Sequence, residues 1–411
     1  MRQAHPSVFH LAAFFAAILA LSAQPAMAKR MFLCVNPANP SQCSPGIQAA
    51  IDKIPAGRAG GAITVAPGTY MENLNIPART KVQIAGDNAF DTSVSPVSPG
   101  TSTITVQLGA QLSLANIDVD GSLAPDGGAI LAHGRLSLAA VAVDGGTAGQ
   151  GGAIFYDSPD GTLNIAGSEI TGNVAAGSGG GLSISGKAVI LNSLIHGNAA
   201  GGNGGDIVVN SGNVLMRNTT LSNGAANNNG GGLEVTGGFV TLIDCSLILN
   251  SANQLGGGIA VPAGPGGVRL NDSTISGNTG NTNAGGVFNE GFVALSNTII
   301  GENLSPGGSN DCSGTFHSGG FNLVQDPRGC EFVGITRGNI NAIPLVGKMT
   351  CLSSNVLQTQ CAAVIAAGSP AVGAGNPAPP GQGANVRCAN TDALGTTRSA
   401  GTCDIGAYQI P

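Results

Sequence analysis

The sequence predicts an all-β protein: a right-handed parallel β-helix, or solenoid, of about ten coils, with a short N-terminal capping helix and a disulfide-rich C-terminal cap. Three observations carry this reading. A unit of 25 to 28 residues repeats through the middle of the chain, Gly supplies 66 of the 411 residues without a G-X-Y period, and eight of the nine Cys lie towards the two ends. The 42% hydrophobic content is ample for an ordered core, which separates this chain from glycine-rich disordered sequences. A net charge of −6 with no Lys/Arg run excludes a basic nucleic-acid binder.

Residues 1–28 read as a signal peptide. Arg2 sits in a short polar start, an apolar stretch covers 11–23, and Ala26-Met27-Ala28 places small residues at the −3 and −1 positions of a cleavage site. That stretch is shorter than the roughly 20 residues of a bilayer span. No other segment could span a membrane, so the mature chain from Lys29 is expected to have no integral membrane segment. It would be secreted, held at the cell surface or retained in the periplasm.

Residues 29–304 are expected to form the β-helix with its N-terminal cap. Ile47, Ala50, Ile51 and Ile54 fall at helical spacing, as a short amphipathic helix plugging the bore would require. The first strands are expected over 62–65, 74–76 and 81–85. The repeat then sets in, as in LNIAGSEITGN (163–173) and VRLNDSTISGN (268–278), with units closing at Gly121, Gly146, Asn173, Asn198, Asn223, Asn250, Asn278 and Asn303. A second marker runs in phase, from GGAI (127–130) to GGVF (285–288). Two or three short β-runs per unit make one coil, with alternate Ile, Leu and Val filling the bore. Corner pairs such as Asn192/Ser193, Asp244/Cys245, Asp272/Ser273 and Asn297/Thr298 would stack between coils and satisfy turn backbone groups.

Residues 305–411 lose the repeat and are expected to cap the last coils as Cys-rich loops. Eight cysteines allow 105 pairings. The nearest-neighbour set, Cys34–Cys43, Cys312–Cys330, Cys351–Cys361 and Cys388–Cys403, closes the shortest loops. Cys245 is left over in an apolar strand pattern and reads as a small buried residue.

The stretch IQAAIDKIPAGRAGGAITVAPGTYMENLNI (47–76) resembles the opening of the pectin-lyase-like right-handed β-helix superfamily. The tail segments SNDCSGTFHSGGFNLVQDPRGCEF (309–332), AAGSPAVGAGNP (366–377), CANTDALGTTR (388–398) and CDIGAYQ (403–409) are similar, in order, to the ending of bacterial choice-of-anchor Q proteins. The resemblance implies an exported, often surface-associated β-helix and no single reaction. The N-T-D, D-D and H-G motifs of polygalacturonases and the D-F-I-F-G element of pectin methylesterases are absent.

The densest acidic group is Asp118, Asp120, Asp126 and Asp144, with His133 and Arg135 between them. With coils about 4.8 Å apart, Asp120 and Asp144 would lie on neighbouring coils. Asp120, Asp126 and Asp144 would suit Ca²⁺ as a hard cation. Asp118, Asp120 and Asp144 with His133 or Arg135 would suit acid–base attack on a glycan. The plainer alternative is a set of solvated Asp-Gly turns. Phe155, Tyr156 and Asp157 could form a sugar-stacking ledge, or simply one core and one surface position of a strand. Glu169, Glu234, Glu290 and Glu302 are scattered, and His196 and His317 are assigned structural roles. GGNGGDIVV (201–209) matches one copy of a Ca²⁺-binding β-roll motif, without the tandem copies that chemistry needs.

Residues 100–300 hold 12 acidic side chains against Arg135, Lys187, Arg217 and Arg269. An anionic polymer should therefore be repelled unless Ca²⁺ bridges it, and a neutral glycan should want Trp, which is absent. The expected function is a structural or interaction role at the cell envelope or outside the cell, with polysaccharide or cell-surface components as partners and no required cofactor. The alternatives are a polysaccharide lyase or glycoside hydrolase, and a Ca²⁺-stabilised glycan-binding module.

Overall fold

The computed structural model describes residues 30–411 apart from 58–59, 308–309, 353–356, 358, 379–386, 400 and 402. The signal-peptide assignment falls outside these residues. The chain winds into a parallel β-solenoid of about eleven turns, with almost no helix.

Three strand positions recur in each coil and stack into three long ladders. The first sheet runs from Met31–Val35 through Gly61–Val65 and Lys81–Ala85 to Cys330–Ile335. The second begins at Gly68–Met71 and ends at Leu323–Val324. The third begins at Leu74–Ile76 and includes Ile130–Ala132 and Ile207–Ser211. A narrow fourth sheet of seven short strands, Leu123–Asp126 to Thr279–Gly280, closes the section over the middle coils. Burial alternates along the strands: in Lys187 to Leu191 only Ala188 and Ile190 face the bore.

A one-residue bend separates the first sheet from the second. It needs positive φ, met by Asn192 (49°), Asn218 (50°), Asp244 (53°), Asp272 (48°) and Asn297 (48°), residue types that tolerate the left-handed region. The next residue carries a buried hydroxyl that turns back on the carbonyl two positions earlier: Ser193 on Leu191 at 2.7 Å, Thr219 on Arg217 at 3.0 Å, Ser273 on Asn271 at 3.0 Å. Cys245 occupies the same corner, with Sγ 3.3 Å from the Ile243 carbonyl. Burial pushes its thiol up to about 12, so it behaves as an apolar stand-in for Ser.

Inside the bore runs a second polar stack. Asn173 bonds to Asn198, and Asn250 to Asn278 to Asn303, each through backbone N–H and side-chain amide onto the next Oδ1 at 2.9–3.1 Å. Each run ends on an Asp eight residues further along: Asn198 donates to Asp206 at 2.9 Å and Asn303 to Asp311 at 3.0 Å. The repeat alignment made Asn223 the equivalent of these unit-closing asparagines. The structure instead puts Gly224 there and turns Asn223 outward, exposed, at φ 55°. A Cβ at Gly224 would lie 2.7 Å from Asp206 Oδ2, so the Asp206 carboxyl fills the missing amide's space.

The helix Ile47–Ile51 buries Ile47, Ala50 and Ile51 against the first coils. Both oxygens of the Glu72 carboxylate cap it, accepting from the Ile47 and Gln48 N–H groups at 2.7 Å. At the other end Cys312–Gly319 and Cys330–Ile335 continue the coils beyond Asn303, and an antiparallel hairpin follows, Val346–Cys351 with Cys361–Ile365. The tail then folds back over the outward face of the second sheet. Thr220 Oγ1 donates to the Cys361 carbonyl at 2.8 Å, Ser246 Oγ accepts from Ala363 N at 3.0 Å, and Thr274 Oγ1 accepts from Ala407 N at 3.0 Å. The disulfides are Cys34–Cys43, Cys312–Cys330, Cys351–Cys361 and Cys388–Cys403.

Candidate functional site

The tail docks on the second sheet from Thr220 onward, and on the earlier coils the outward face keeps Asp118, Asp120 and Asp144 part-exposed, with Leu194 already buried at the boundary. Register sets what stands on it. One column holds Ser93, Asp118, Ala142, Glu169 and Leu194, and the next holds Asp120, Asp144, Thr171 and His196. Asp118, Asp120 and Asp144 each present a carboxylate oxygen within 4.8 Å of the others. All three are half-buried. Ser95 donates to one oxygen of Asp120, and Asp118 Oδ1 is covered without a hydrogen-bond partner.

Burial raises the Asp118 carboxyl to about 7, reinforced by Asp144 and Asp120. Asp144 is also raised, by burial first and then by Asp120 and Glu169. Three carboxylates this close cannot all ionise cheaply without a proton or a cation among them. On the next coils His196 Nε2 meets Glu169 Oε1 at 2.9 Å, and Thr171 Oγ1 lies 3.5 Å from His196 Nδ1.

The other sequence candidates are elsewhere. Asp126 stands opposite Gln150 in the narrow fourth sheet, outside the carboxylate group. His133 lies just past the third-sheet strand Ile130–Ala132, its Nδ1 3.3 Å from the Asp157 carbonyl and its ring edge-on to Phe155 at 6.5 Å. Arg135 opens a first-sheet strand, opposite Gln111. Tyr156 is wholly buried in the bore, while Phe155 is half-exposed and Asp157 exposed. The three acids of the proposed catalytic set thus share one face, while His133 and Arg135 stand on another part of the coil.

The sequence reading left Glu169 among scattered acids and gave His196 a structural role, and the register brings the two together. A signal existed: Asp144, Thr171 and His196 each precede the closing Gly or Asn of their repeat by two residues, so aligned repeats put them in one column. Glu234 is a separate case. On the third sheet it is buried, its Oε2 without a hydrogen-bond partner, and burial raises it to about 7.

These raised groups make a pH prediction. A carboxyl whose folded value exceeds its unfolded one keeps its proton in the native state while the unfolded chain releases it. The folded chain binds more protons between about pH 4.5 and 7, so stability falls as pH rises through that window. The melting temperature is expected to be higher at pH 5 than at pH 8 in metal-free buffer. A Glu234→Gln variant should show a smaller difference, by on the order of 1–2 kcal/mol. Equal or higher stability at pH 8 would show that these carboxyls are ionised in the fold.

No family model matches the chain, and no curated protein matches it either. Among solved structures it is similar to a pectin methylesterase from carrot, at 12% identity over 76% of this chain and 90% of that one, with a TM-score of 0.36. It is also similar to a pectin methylesterase from Aspergillus niger in its deglycosylated form, at 15% identity over 78% and 87%, with a TM-score of 0.30.

Proposed function

We propose that the protein is an exported interaction module of the cell envelope that binds glycan through a Ca²⁺ ion on the open face of the second sheet. The observation that carries this reading is the convergence of Asp118, Asp120 and Asp144 oxygens within 4.8 Å, one oxygen of Asp118 lacking any partner. The group offers only hard oxygen donors, which suits Ca²⁺ better than a transition metal. An ion there would ionise Asp118, relieve the mutual repulsion and leave coordination positions for sugar hydroxyls or carboxylates.

Calcium at a hundredfold excess over its dissociation constant is expected to stabilise the fold by ~2.7 kcal/mol, read as a rise in melting temperature of a few degrees. The effect should shrink at pH 5, where protons compete for Asp118, and vanish in Asp120→Asn/Asp144→Asn. An unchanged melt with Ca²⁺ at pH 8 would sink the metal reading.

One observation favours a second reading. An acid of about 7 beside ionisable partners is the arrangement that general acid catalysis of glycoside hydrolysis uses. New reducing ends that persist in EDTA and disappear in Asp118→Asn would establish it.

A further inference from the structure

The sequence count of 12 acids against four bases in residues 100–300 sums over faces that the solenoid separates. Arg135, Lys187, Arg217 and Arg269 all stand on first-sheet strands, at outward positions, and Lys81 precedes them in the same ladder. The first-sheet segments of the coils from 31–35 to 292–296 contain no Asp or Glu, and the exposed Glu331 stands on the last first-sheet strand, accepting from Thr315 Oγ1 at 3.0 Å. The nearest acids at the bend, Asp244 and Asp272, are fully buried, and Asp244 pairs with Arg398 and, at 3.9 Å, Arg217. Asp160, at the register irregularity of the strand Ile154–Ala166, and Glu290, in the bend before Phe292, are exposed where the chain enters this sheet. Among the described residues no ion pair involves Arg135, Lys187 or Arg269.

The same face carries an aromatic ledge. Phe239, Gly267 and Phe292 are register partners on three successive coils. A Cβ on Gly267 would lie 2.9 Å from the Phe239 ring, so its absence lets Phe239 and Phe292 close over it to 6.0 Å between centroids. Phe292 stacks on the exposed His317 at 4.8 Å, and the Arg269 guanidinium lies 5.4 Å from the Phe239 ring centre. A shallow depression of about 300 Å³ beside Phe239 is bordered by Lys187, Val189 and Leu215.

We propose that the outward face of the first sheet binds an anionic polysaccharide lying along the solenoid axis. Lys187 and Arg269 would meet its acidic groups, and the Phe239–Phe292–His317 ledge would meet the C–H faces of its sugar rings. Basic groups that predominate over acids along the middle of a flat face match an extended polymer whose charges are spread along rigid rings. The ledge gives those rings a stacking surface without Trp. This inference is independent of the Ca²⁺ site, which lies on another sheet.

The test is direct binding of the full protein, in EDTA at low salt, to polygalacturonate and alginate oligosaccharides. Neutral cello-oligosaccharides, single-stranded DNA and phosphatidylglycerol vesicles serve as the other arms. Acidic oligosaccharides are expected to bind and neutral ones not. Lys187→Ala/Arg269→Ala should weaken binding by about tenfold and flatten its salt dependence. Phe292→Ala should weaken it about fivefold with the salt dependence kept. Binding should persist undiminished in EDTA, which separates this site from the acidic one. Circular dichroism melts of each variant check that it is folded. Lys187→Glu/Arg269→Glu, which reverses charge on an exposed surface, should abolish binding. No binding of acidic glycans, binding unaltered in the folded charge variants, or tighter binding of DNA or vesicles would overturn the proposal.

Discussion

Arg398→Ala is expected to release the C-terminal tail from the second sheet and cost about 3–5 kcal/mol, because it strands a buried carboxylate. The Arg398 side chain is fully buried. It donates to Asp244 Oδ1 at 3.2 Å and to the carbonyls of Asp404 and Gly406 at 2.8 Å. Removing it leaves Asp244 inside the protein with only Arg217, 3.9 Å away and part-exposed. The neighbouring Asp272 carboxyl holds the tail separately, accepting from Ala389 N at 2.8 Å. The expected signature is an early transition in denaturant and new protease cleavage after residue 345, with the coils melting later. An Arg398→Met/Asp244→Leu double variant should recover most of the loss, since a buried pair replaced by apolar groups is close to neutral. Protease resistance equal to the parent in Arg398→Ala would show that the tail is held by its apolar contacts around Ile299, Ile365 and Ile405 instead.

Asn278→Ala should cost a similar amount, about 3–4 kcal/mol, through the bore instead of the surface. Asn278 Oδ1 accepts from Asn250 N and Nδ2, at 2.9 and 3.0 Å, and its Nδ2 donates to the Leu247 carbonyl and to Asn303 Oδ1, both at 2.9 Å. Truncation leaves a buried N–H and a buried carbonyl without partners, each worth roughly 1–3 kcal/mol. The chain itself contains the control. At Gly224 the stack lacks its amide, and Asp206 takes the space while accepting from Asn198. Equilibrium unfolding of Asn278→Ala checks the figure. A loss below 1 kcal/mol would mean that water or backbone shift satisfies the freed groups.

The repeat made the solenoid legible because each coil must present the same groups to its neighbours. Corner Asn and Asp at positive φ, hydroxyls behind them, and glycines facing the Asn amides are local requirements repeated at every turn. Helical spacing at Ile47, Ala50, Ile51 and Ile54 revealed the plug for the same reason. Met31–Val35 and Gly68–Met71 were not anticipated, because MFLCV is apolar throughout and GTYM buries only Tyr70, so neither shows the alternation that marks a strand. The acidic group was visible as Asp118, Asp120 and Asp144 because they sit within two adjacent coils. Asp126, His133 and Arg135 are as close in sequence, but a coil turns through several faces within two dozen residues. Chain proximity therefore does not choose a face.

What this sequence determines by itself is the period, and with it the stacked coils, the filled bore and the polar ladders, since all of these depend on contacts between equivalent residues. Which side chains share a surface was decided by the tertiary structure. The register gathers Glu169 and His196 beside the aspartates on one sheet, and the scattered bases with Phe239, Phe292 and His317 on another. The tail, which carries no repeat, docks on the later coils of that acidic sheet, at Thr220, Ser246 and Thr274. Its docking rests on single long-range partners such as Arg398 and Asp244, 154 residues apart, and no local pattern encodes such a pair.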